Sequence, residues 1–490
     1  MVTIFNFAQI LKHANKMKKL LTTAAMALFV SIPTFSGGLF TNTNQHAAFL
    51  RMPARGASIA IDGVNSNPAG IAFLPQGFHL SFSWQVALQE RQIDATNKLF
   101  EMNTNDKSSD RSFKGITKAL FIPSFQGAYV INDKWSISAQ FAVGSGGGKC
   151  TFEEGLPMFE KLIGGTLAQA NATSYALQQR LVGEQYFYGI QLGGTYRITD
   201  NFSLFAGARG VIANCSYKGN ISNIQASGME ASKYLLAVKG QVDDYIKQLE
   251  PVKELPSYSE SYKTLTEQSA SLAQGAGLMS EDFILDCKQR DFAITPIIGF
   301  DWKFEKLNIG AKYEFRTKVN LKNNSLLSSD NVLTLMPDYE NNAKVRSDIP
   351  AYLSVAAQYK ILPKLRASVE YHFFDDKAAK IGRGVNKNSY LTKGTNEYLF
   401  GIEWDALERV TFSGGIQSTD YGLSDDYQSD TSFFCDSFSF GFGAEVKVKD
   451  NLNLNVGYFR TNYKDYKKVT DANIYSRKNQ VIGVSVNWSL

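Results

Sequence analysis

Trp135-Ser136-Ile137-Ser138-Ala139-Gln140-Phe141-Ala142-Val143 is the stretch from which the fold can be read. Trp135, Ile137, Ala139, Phe141 and Val143 fall on one face of an extended chain. Ser136, Ser138 and Gln140 fall on the other, because successive strand side chains point to opposite sides. The C-terminus repeats the pattern, with Ile482, Val484, Val486, Trp488 and Leu490 alternating with Gly483, Ser485, Asn487 and Ser489. Phe438-Phe440-Phe442 against Ser437-Ser439-Gly441 repeats it too, as does Leu452-Leu454-Val456-Tyr458 against Asn451-Asn453-Asn455. Each segment therefore has one greasy face and one polar face.

In a soluble sandwich the greasy face packs on a second sheet; in a membrane barrel it meets lipid and the polar face lines a lumen. Three features favour the barrel. Trp84, Trp135, Trp302, Trp404 and Trp488 sit near strand ends, where interfacial girdles form. Connections alternate between very short and very long. An export signal near the N-terminus removes the cytoplasmic alternatives, and closure is the only way a sheet avoids bare edges in hydrocarbon. The short turns are Ile131–Lys134, Thr199–Asn201, Phe304–Lys306, Leu362–Lys364, Asp405–Leu407 and Lys449–Asn451, rich in the Asn, Asp and Pro of tight turns. Six hairpins with one strand before and one after give about fourteen strands, an even number as bacterial barrels have. The expected fold is all-β, a transmembrane antiparallel β-barrel over 76–490. The expected strands are 76–92, 113–131, 134–144, 184–198, 201–217, 290–304, 306–319, 345–360, 364–376, 393–405, 408–419, 433–449, 451–464 and 476–490. Long extracellular loops are expected at 150–183 and 218–289, with helical stretches from Met158 to Ala170 and from Met229 to Leu249. In the second, Leu235, Val242, Ile246 and Leu249 recur at helical spacing, which is first of all evidence of burial against a neighbour.

Composition agrees. Phe (34), Tyr (23) and Gly (39) are plentiful, while His (4), Cys (4) and Pro (12) are few. Mean hydropathy is slightly negative, because lumenal polar residues cancel lipid-facing ones. The net charge of +5 is small and its basic residues form no stripe, so nucleic acid binding is not indicated. Near the N-terminus, Lys18-Lys19, the apolar run Leu20 to Ile32 and the small residues Ser36-Gly37-Gly38 read as a signal peptide over 1–36, with Met17 as the true start. The run is too short to span a bilayer as a helix. Export permits disulfides, but Cys150, Cys215, Cys287 and Cys435 show no CxxC or zinc spacing; they read as free or locally paired.

Between the signal and the first strand lies 37–75, dominated by small residues and turn formers. It contains Arg51-Met52-Pro53-Ala54-Arg55-Gly56-Ala57-Ser58, then Asp62, then Asn67-Pro68-Ala69-Gly70. An Arg-x-x-Ala-Arg-x-Ala stretch, an Asp and Asn-Pro-Ala-Gly ahead of a barrel resemble the FadL-type outer-membrane transport family. The resemblance implies that 37–75 is a hatch plugging the barrel, with Arg51, Arg55, Asp62, Asn67, Pro68, Ala69 and Gly70 in gating positions. It also implies an apolar pocket beside the hatch and a lateral exit at a kink in the third strand, here Gly144, Gly146, Gly147 and Gly148. Glycines weaken a strand and permit bulges; read without the resemblance, the run is a lead into the extracellular loop. The terminal Trp488-Ser489-Leu490 departs from the usual terminal aromatic.

No enzyme is indicated. Of the histidines beyond the signal, His46 is placed to brace the hatch and His79 to sit at the periplasmic rim. His372 shares a polar face with Arg366, Ser368 and Glu370; Ser368 is about 13 Å from it along an extended strand, and no Gly-x-Ser-x-Gly elbow accompanies the pair. Arg366, Glu370 and His372 are therefore expected as a lumenal network bonding the hatch. No metal and no cofactor are implied, and the glycine run lacks the Lys of a phosphate loop. The expected function is passive uptake of a hydrophobic ligand, a fatty acid or an aromatic hydrocarbon, by a monomer in the outer membrane of a Gram-negative bacterium, in contact with its lipid. The alternative is a surface-binding or structural barrel with a sealed pore.

Overall fold

The computed structural model describes residues 39–327 and 337–490; the expected signal peptide lies outside them. Fourteen antiparallel strands close on themselves. They are β1 Gly77–Thr96, β2 Asp110–Val130, β3 Trp135–Phe152, β4 Tyr175–Thr199, β5 Phe202–Ala226, β6 Phe283–Lys303, β7 Leu307–Glu314 continued by Asn320–Leu327, β8 Lys344–Ser347 continued by Tyr352–Leu362, β9 Leu365–Phe374, β10 Thr395–Leu407, β11 Val410–Asp420, β12 Ser437–Lys449, β13 Leu452–Tyr463 and β14 Ile474–Ser489. The ring closes where β1 pairs with β14, from His79 opposite Ser489 to Asp94 opposite Ile474.

Toward the short-turn end the alternation works as the sequence suggests. Trp135 and Ile137 are each 52% exposed on the outer face, while Ser136, Ser138 and Gln140 are buried in the lumen. All five tryptophans are exposed on the outside. An apolar belt around a closed sheet makes this a membrane-spanning barrel. No described helix is long and apolar enough to cross a membrane.

The lumen at this level is filled by residues 39–75. This segment folds into α1 Ala47–Arg51, α2 Gly63–Ser66 and a 3-10 turn at Pro68–Phe73. The barrel wall makes room for it with glycine. A Cβ on Gly441 would stand 2.1 Å from the Leu50 carbonyl oxygen, and one on Gly457 2.6 Å from that of Ala47.

Toward the long-loop end the interior changes character. β3 continues to Phe152, β4 begins at Tyr175, β5 runs to Ala226 and β6 begins at Phe283. The long connections are therefore 153–174 and 227–282, shorter than the 150–183 and 218–289 expected. Inward-facing Phe152, Leu181, Phe187, Cys215, Tyr217, Leu285 and Cys287 are buried in one apolar cluster. The alternation was expected to give the strands a polar lumenal face; the barrel's upper interior is instead apolar and packed. Three helices cap it: α3 Pro157–Gln169, α4 Ala231–Leu249 and α5 Pro256–Leu278. Leu235 and Val242 of α4 are buried with Leu265 and Leu272 of α5, so α4 packs on a neighbour. All four cysteines are free and buried.

Candidate functional site

The hatch is held by buried, charge-assisted contacts. Arg55 donates through Nε and Nη2 to both carboxylate oxygens of Asp62, each at 2.8 Å, and through Nη1 to Glu403 at 3.2 Å. Arg51 donates to Glu403 Oε1 (3.0 Å), Ser413 Oγ (2.8 Å) and Asn455 Oδ1 (2.9 Å). Such bidentate pairing fixes orientation as well as energy. Asn67 accepts from the Gly70 N–H and donates to Asp301 at 2.5 Å, capping the turn that Pro68 begins. The Pro68 and Ala69 carbonyls accept from Thr195 and Ser203 of the wall. A Cβ at Gly70 would lie 2.4 Å from Asn67 Nδ2, so the motif requires glycine there.

The expected wall network reaches the hatch unevenly. Glu370 touches it directly, accepting from the Gly56 N–H at 2.7 Å. His372 lies 2.7 Å from Glu370 and 2.9 Å from Glu397, so it braces Glu370 rather than the hatch. Arg366 pairs with Asp405 at 2.6 Å and meets the hatch only through Glu403, 3.6 Å away. His46 ties α1 to the β1–β14 seam through Ser81 and Asn487. His79 bonds Pro75 and Ser489 at the start of β1.

The wall itself is interrupted. β2 and β3 pair from Val130 opposite Ser136 up to Phe125 opposite Phe141, then not again until Ile116 opposite Thr151. Residues 117–124 and 142–150 thus have no partner across that seam. The glycine run lies inside this interval, within β3, and not in a lead to the loop. Gly146 has φ +97° and Gly148 φ +68°, and the β3–β4 register shifts on both sides of Ser145. A Cβ on Gly146 would meet the Gln185 carbonyl at 2.5 Å, so the kink depends on glycine. Pro123 sits in the stretch of β2 that is unpaired with β3, opposite Trp84 of β1 on the other side; a proline has no N–H to offer the ladder. Outside the interval, Leu120 and Phe121 are 63% and 64% exposed to the lipid side.

Sequence reading missed what closes the interval from within. Thr41 bridges to Ser145, and the Asn42 N–H donates to the Gly144 carbonyl at 2.9 Å. Gln45 donates to the Val143 carbonyl at 2.6 Å, accepts from the Val143 N–H at 3.0 Å, and accepts through its own carbonyl from Ser124 of β2 at 3.1 Å. The arm 41–45 substitutes for the missing strand pairing, and Gln45 clasps both edges.

Two compartments meet here. Beside the hatch is a cavity of about 60 Å³, lined by Asn42, Gln45, Asn65, Arg209, Glu314 and His372 among others. The resemblance implied an apolar pocket at this place; the lining is mixed, with Phe49, Val143 and Phe374 beside the polar groups. Above it the apolar cluster begins with Phe40, whose ring meets Phe187 edge-on at 4.8 Å, and extends without a break to Leu235 and Leu272 of the cap. Arg91 is buried in this upper region, 1% exposed. It donates to the Phe433 carbonyl at 2.6 Å, stacks over that ring at 4.5 Å, and its Nε has no partner among the described residues. In the cap, Glu160 is buried but satisfied by Arg111, Asn103 and Gln179, and burial raises its pKa against the pull of Arg111. In the β9–β10 connection, burial pushes the Asp376 carboxyl up to about 7, opposed by the hydrogen bond from Thr395.

A lipid-belted barrel, plugged from its N-terminus and interrupted in one seam, defines the class: a plugged transmembrane β-barrel. No family model matches the chain, and no curated protein matches it. Solved structures do. A Pseudomonas aeruginosa FadL homologue is similar at TM-score 0.63 and 14% identity, over 92% of this chain and all (100%) of that one. The Pseudomonas putida toluene transporter TodX is similar at TM-score 0.54 and 10% identity, over 93% and 100%. The Ralstonia pickettii toluene transporter TbuX is similar at TM-score 0.51 and 12% identity, over 93% and 99%. The chain has the fold of the FadL-type outer-membrane transporters.

Proposed function

We propose that this chain sits in the outer membrane of a Gram-negative bacterium and passes hydrophobic small molecules, long-chain fatty acids foremost, from the outside into the bilayer. One observation carries the reading: the unbroken apolar cluster that runs from the cap helices to Phe40, beside the unpaired interval of the wall. A barrel that only conducts polar solutes has no use for an apolar interior, whereas a greasy ligand can exchange for packed side chains at little cost in hydrophobic contact. The ligand enters through the cap, displaces Phe40 and the arm 41–45, and leaves sideways between β2 and β3. Gating belongs to the hatch residues Arg51, Arg55, Asp62 and Asn67 to Gly70, which hold the arm's base, and the exit to Gly144 and Gly146 to Gly148. The process needs no cofactor and no partner chain.

Arg91 favours a carboxylate-headed ligand over a neutral hydrocarbon. A buried guanidinium with an unmatched donor gains more from an anion than from any neutral group. The sealed-pore alternative draws support from the small size of the cavity beside the hatch.

One experiment separates them. Uptake of labelled palmitate is measured in cells lacking their own transporters, for the wild type and Asn67→Ala. Saturable uptake, altered by Asn67→Ala, is expected. A folded, heat-modifiable protein with neither uptake nor binding would rule out transport in favour of surface binding. In binding assays, Arg91→Gln is expected to weaken palmitate by about ten-fold and leave its methyl ester unchanged.

A further inference from the structure

Outside the barrel, on the long-loop side, three cations stand in a row. Arg290 of β6 lies directly opposite Lys322 of β7, and Lys322 directly opposite Lys344 of β8. Residues directly opposite on an antiparallel pair share a face, with Cβ atoms about 5 Å apart, and like charges placed so repel. All three are exposed. The carboxylates on the neighbouring chain are engaged elsewhere: Asp286 with Lys218 at 3.3 Å, Asp291 with the Asn320 N–H at 2.6 Å, and Glu340 with Arg383. No ion pair of Arg290, Lys322 or Lys344 is found among the described residues.

The height of the row matters as much as its charge. The next outward residues down β6 are Phe292 and Ile294, 62% and 58% exposed, which belong to the lipid-facing belt. One outward step on a strand is about 7 Å, so the cations stand at the depth where hydrocarbon gives way to headgroups. On a soluble surface such a row would be solvated and weakly unfavourable. At a bilayer surface it is a counter-charge for anionic headgroups.

We propose that this row binds the phosphate groups of lipid A, the lipopolysaccharide anchor of the outer leaflet. The inference rests on the outer-membrane location proposed above but not on transport. Three adjacent cations spanning three strands match a headgroup that carries two phosphates better than one that carries a single, zwitterionic phosphate. Bound lipid A would brace β7 and β8, both of which are interrupted just below the row.

The test uses the purified full-length barrel with two probes of identical acyl chains, bisphosphorylated lipid A and fully dephosphorylated lipid A. Native mass spectrometry counts the lipid retained. The variant is Arg290→Gln with Lys322→Gln and Lys344→Gln. A charge-matched control carries Lys233→Gln, Lys247→Gln and Lys253→Gln on and just after α4, away from the belt. The expected result is a wild-type preference for the phosphorylated probe. The row variant should bind that probe about a hundred-fold more weakly, with the control unchanged, at the strength usual for basic side chains near an anionic lipid surface. Equal retention by the row variant, or no preference for phosphate in the wild type, would overturn the proposal. Fatty-acid uptake without lipid A preference would remove this claim and leave transport standing; lipid A preference without uptake would do the reverse.

Discussion

The two halves of this barrel follow opposite rules along the same strands. On β5, odd-numbered residues point inward from Ser203 to Ile221. Low on the strand the inward residue is Ser203, opposed on the outside by Leu204. Higher up the inward residues are Cys215 and Tyr217, and the outward ones are Asn214, Ser216 and Lys218. The parity of the side chains is constant while their chemistry changes places, because the solvent outside changes from lipid to water and headgroups. Inside, a charged and hydrogen-bonded plug gives way to a packed apolar core. The seam between these regimes is where the β2–β3 wall is unpaired and the arm 41–45 lies across it.

The largest expected effect tests the lower half. Arg55→Ala would leave Asp62 buried beside a polar wall without its bidentate partner, a loss of about 3–5 kcal/mol in hatch docking. Planar-bilayer recordings should then show ion conductance that the wild-type plug blocks. In the upper half, Leu181→Asn places an unpaired amide in the apolar cluster and removes packed volume, costing about 3 kcal/mol. A polarity change on the outer face of the same upper wall, such as Ser112→Val opposite Asp94, should cost under about 1 kcal/mol, as surface changes do. Thermal melts of the two variants in detergent make the comparison. At the seam, Gln45→Ala leaves the Val143 N–H without its partner, while the Val143 carbonyl keeps the Asn42 amide at 2.8 Å; the loss is worth about 1–3 kcal/mol and should raise hydrogen exchange at Val143 while Val130 is unaffected.

The smallest effect is a pH dependence in the β9–β10 connection. The Asp376 carboxyl is raised above its unfolded value of about 4, so the folded state binds more protons there. Stability from this group is fully present below about pH 4 and is progressively lost as pH rises toward 7. Protection from hydrogen exchange over Asp376–Leu391, corrected for the intrinsic rise of exchange with pH, should therefore fall from pH 5 to pH 8, and Asp376→Asn should flatten that response.

Much of this was legible in the sequence, and the misses have physical causes. Alternation and Asn/Asp/Pro turns place the strand ends at the short-turn side within a few residues, because every strand there separates lipid from a polar lumen. The upper parts of β3 to β6 were cut short, since an inward apolar and outward polar residue looks like a strand that has ended. Helix α5 was missed: Pro256–Leu278 is rich in Ser and Thr, and its buried stripe is as thin as Leu265 and Leu272. Arg51, Arg55, Asp62 and Asn67 stood out through motif resemblance, and the structure buries them all. Gln45 and Arg91 had no motif to mark them, because their roles depend on a missing strand partner and on a change of lumen chemistry. A usable signal was the inward parity of Gly441, Gly443, Gly457 and Gly483, which maps the hatch's footprint on three adjacent strands.

The central claim is that ligand leaves through the seam between β2 and β3. Its most direct test is palmitate uptake by Gly146→Val, read beside Ser145→Trp, with heat-modifiability confirming that each barrel is folded. A side chain at 146 cannot take the backbone conformation of the kink and collides with Gln185, and a bulky one at 145 fills the interval from within. Palmitate should still bind while uptake falls by about ten-fold or more in both folded variants. Wild-type uptake in either folded variant would contradict exit through this seam.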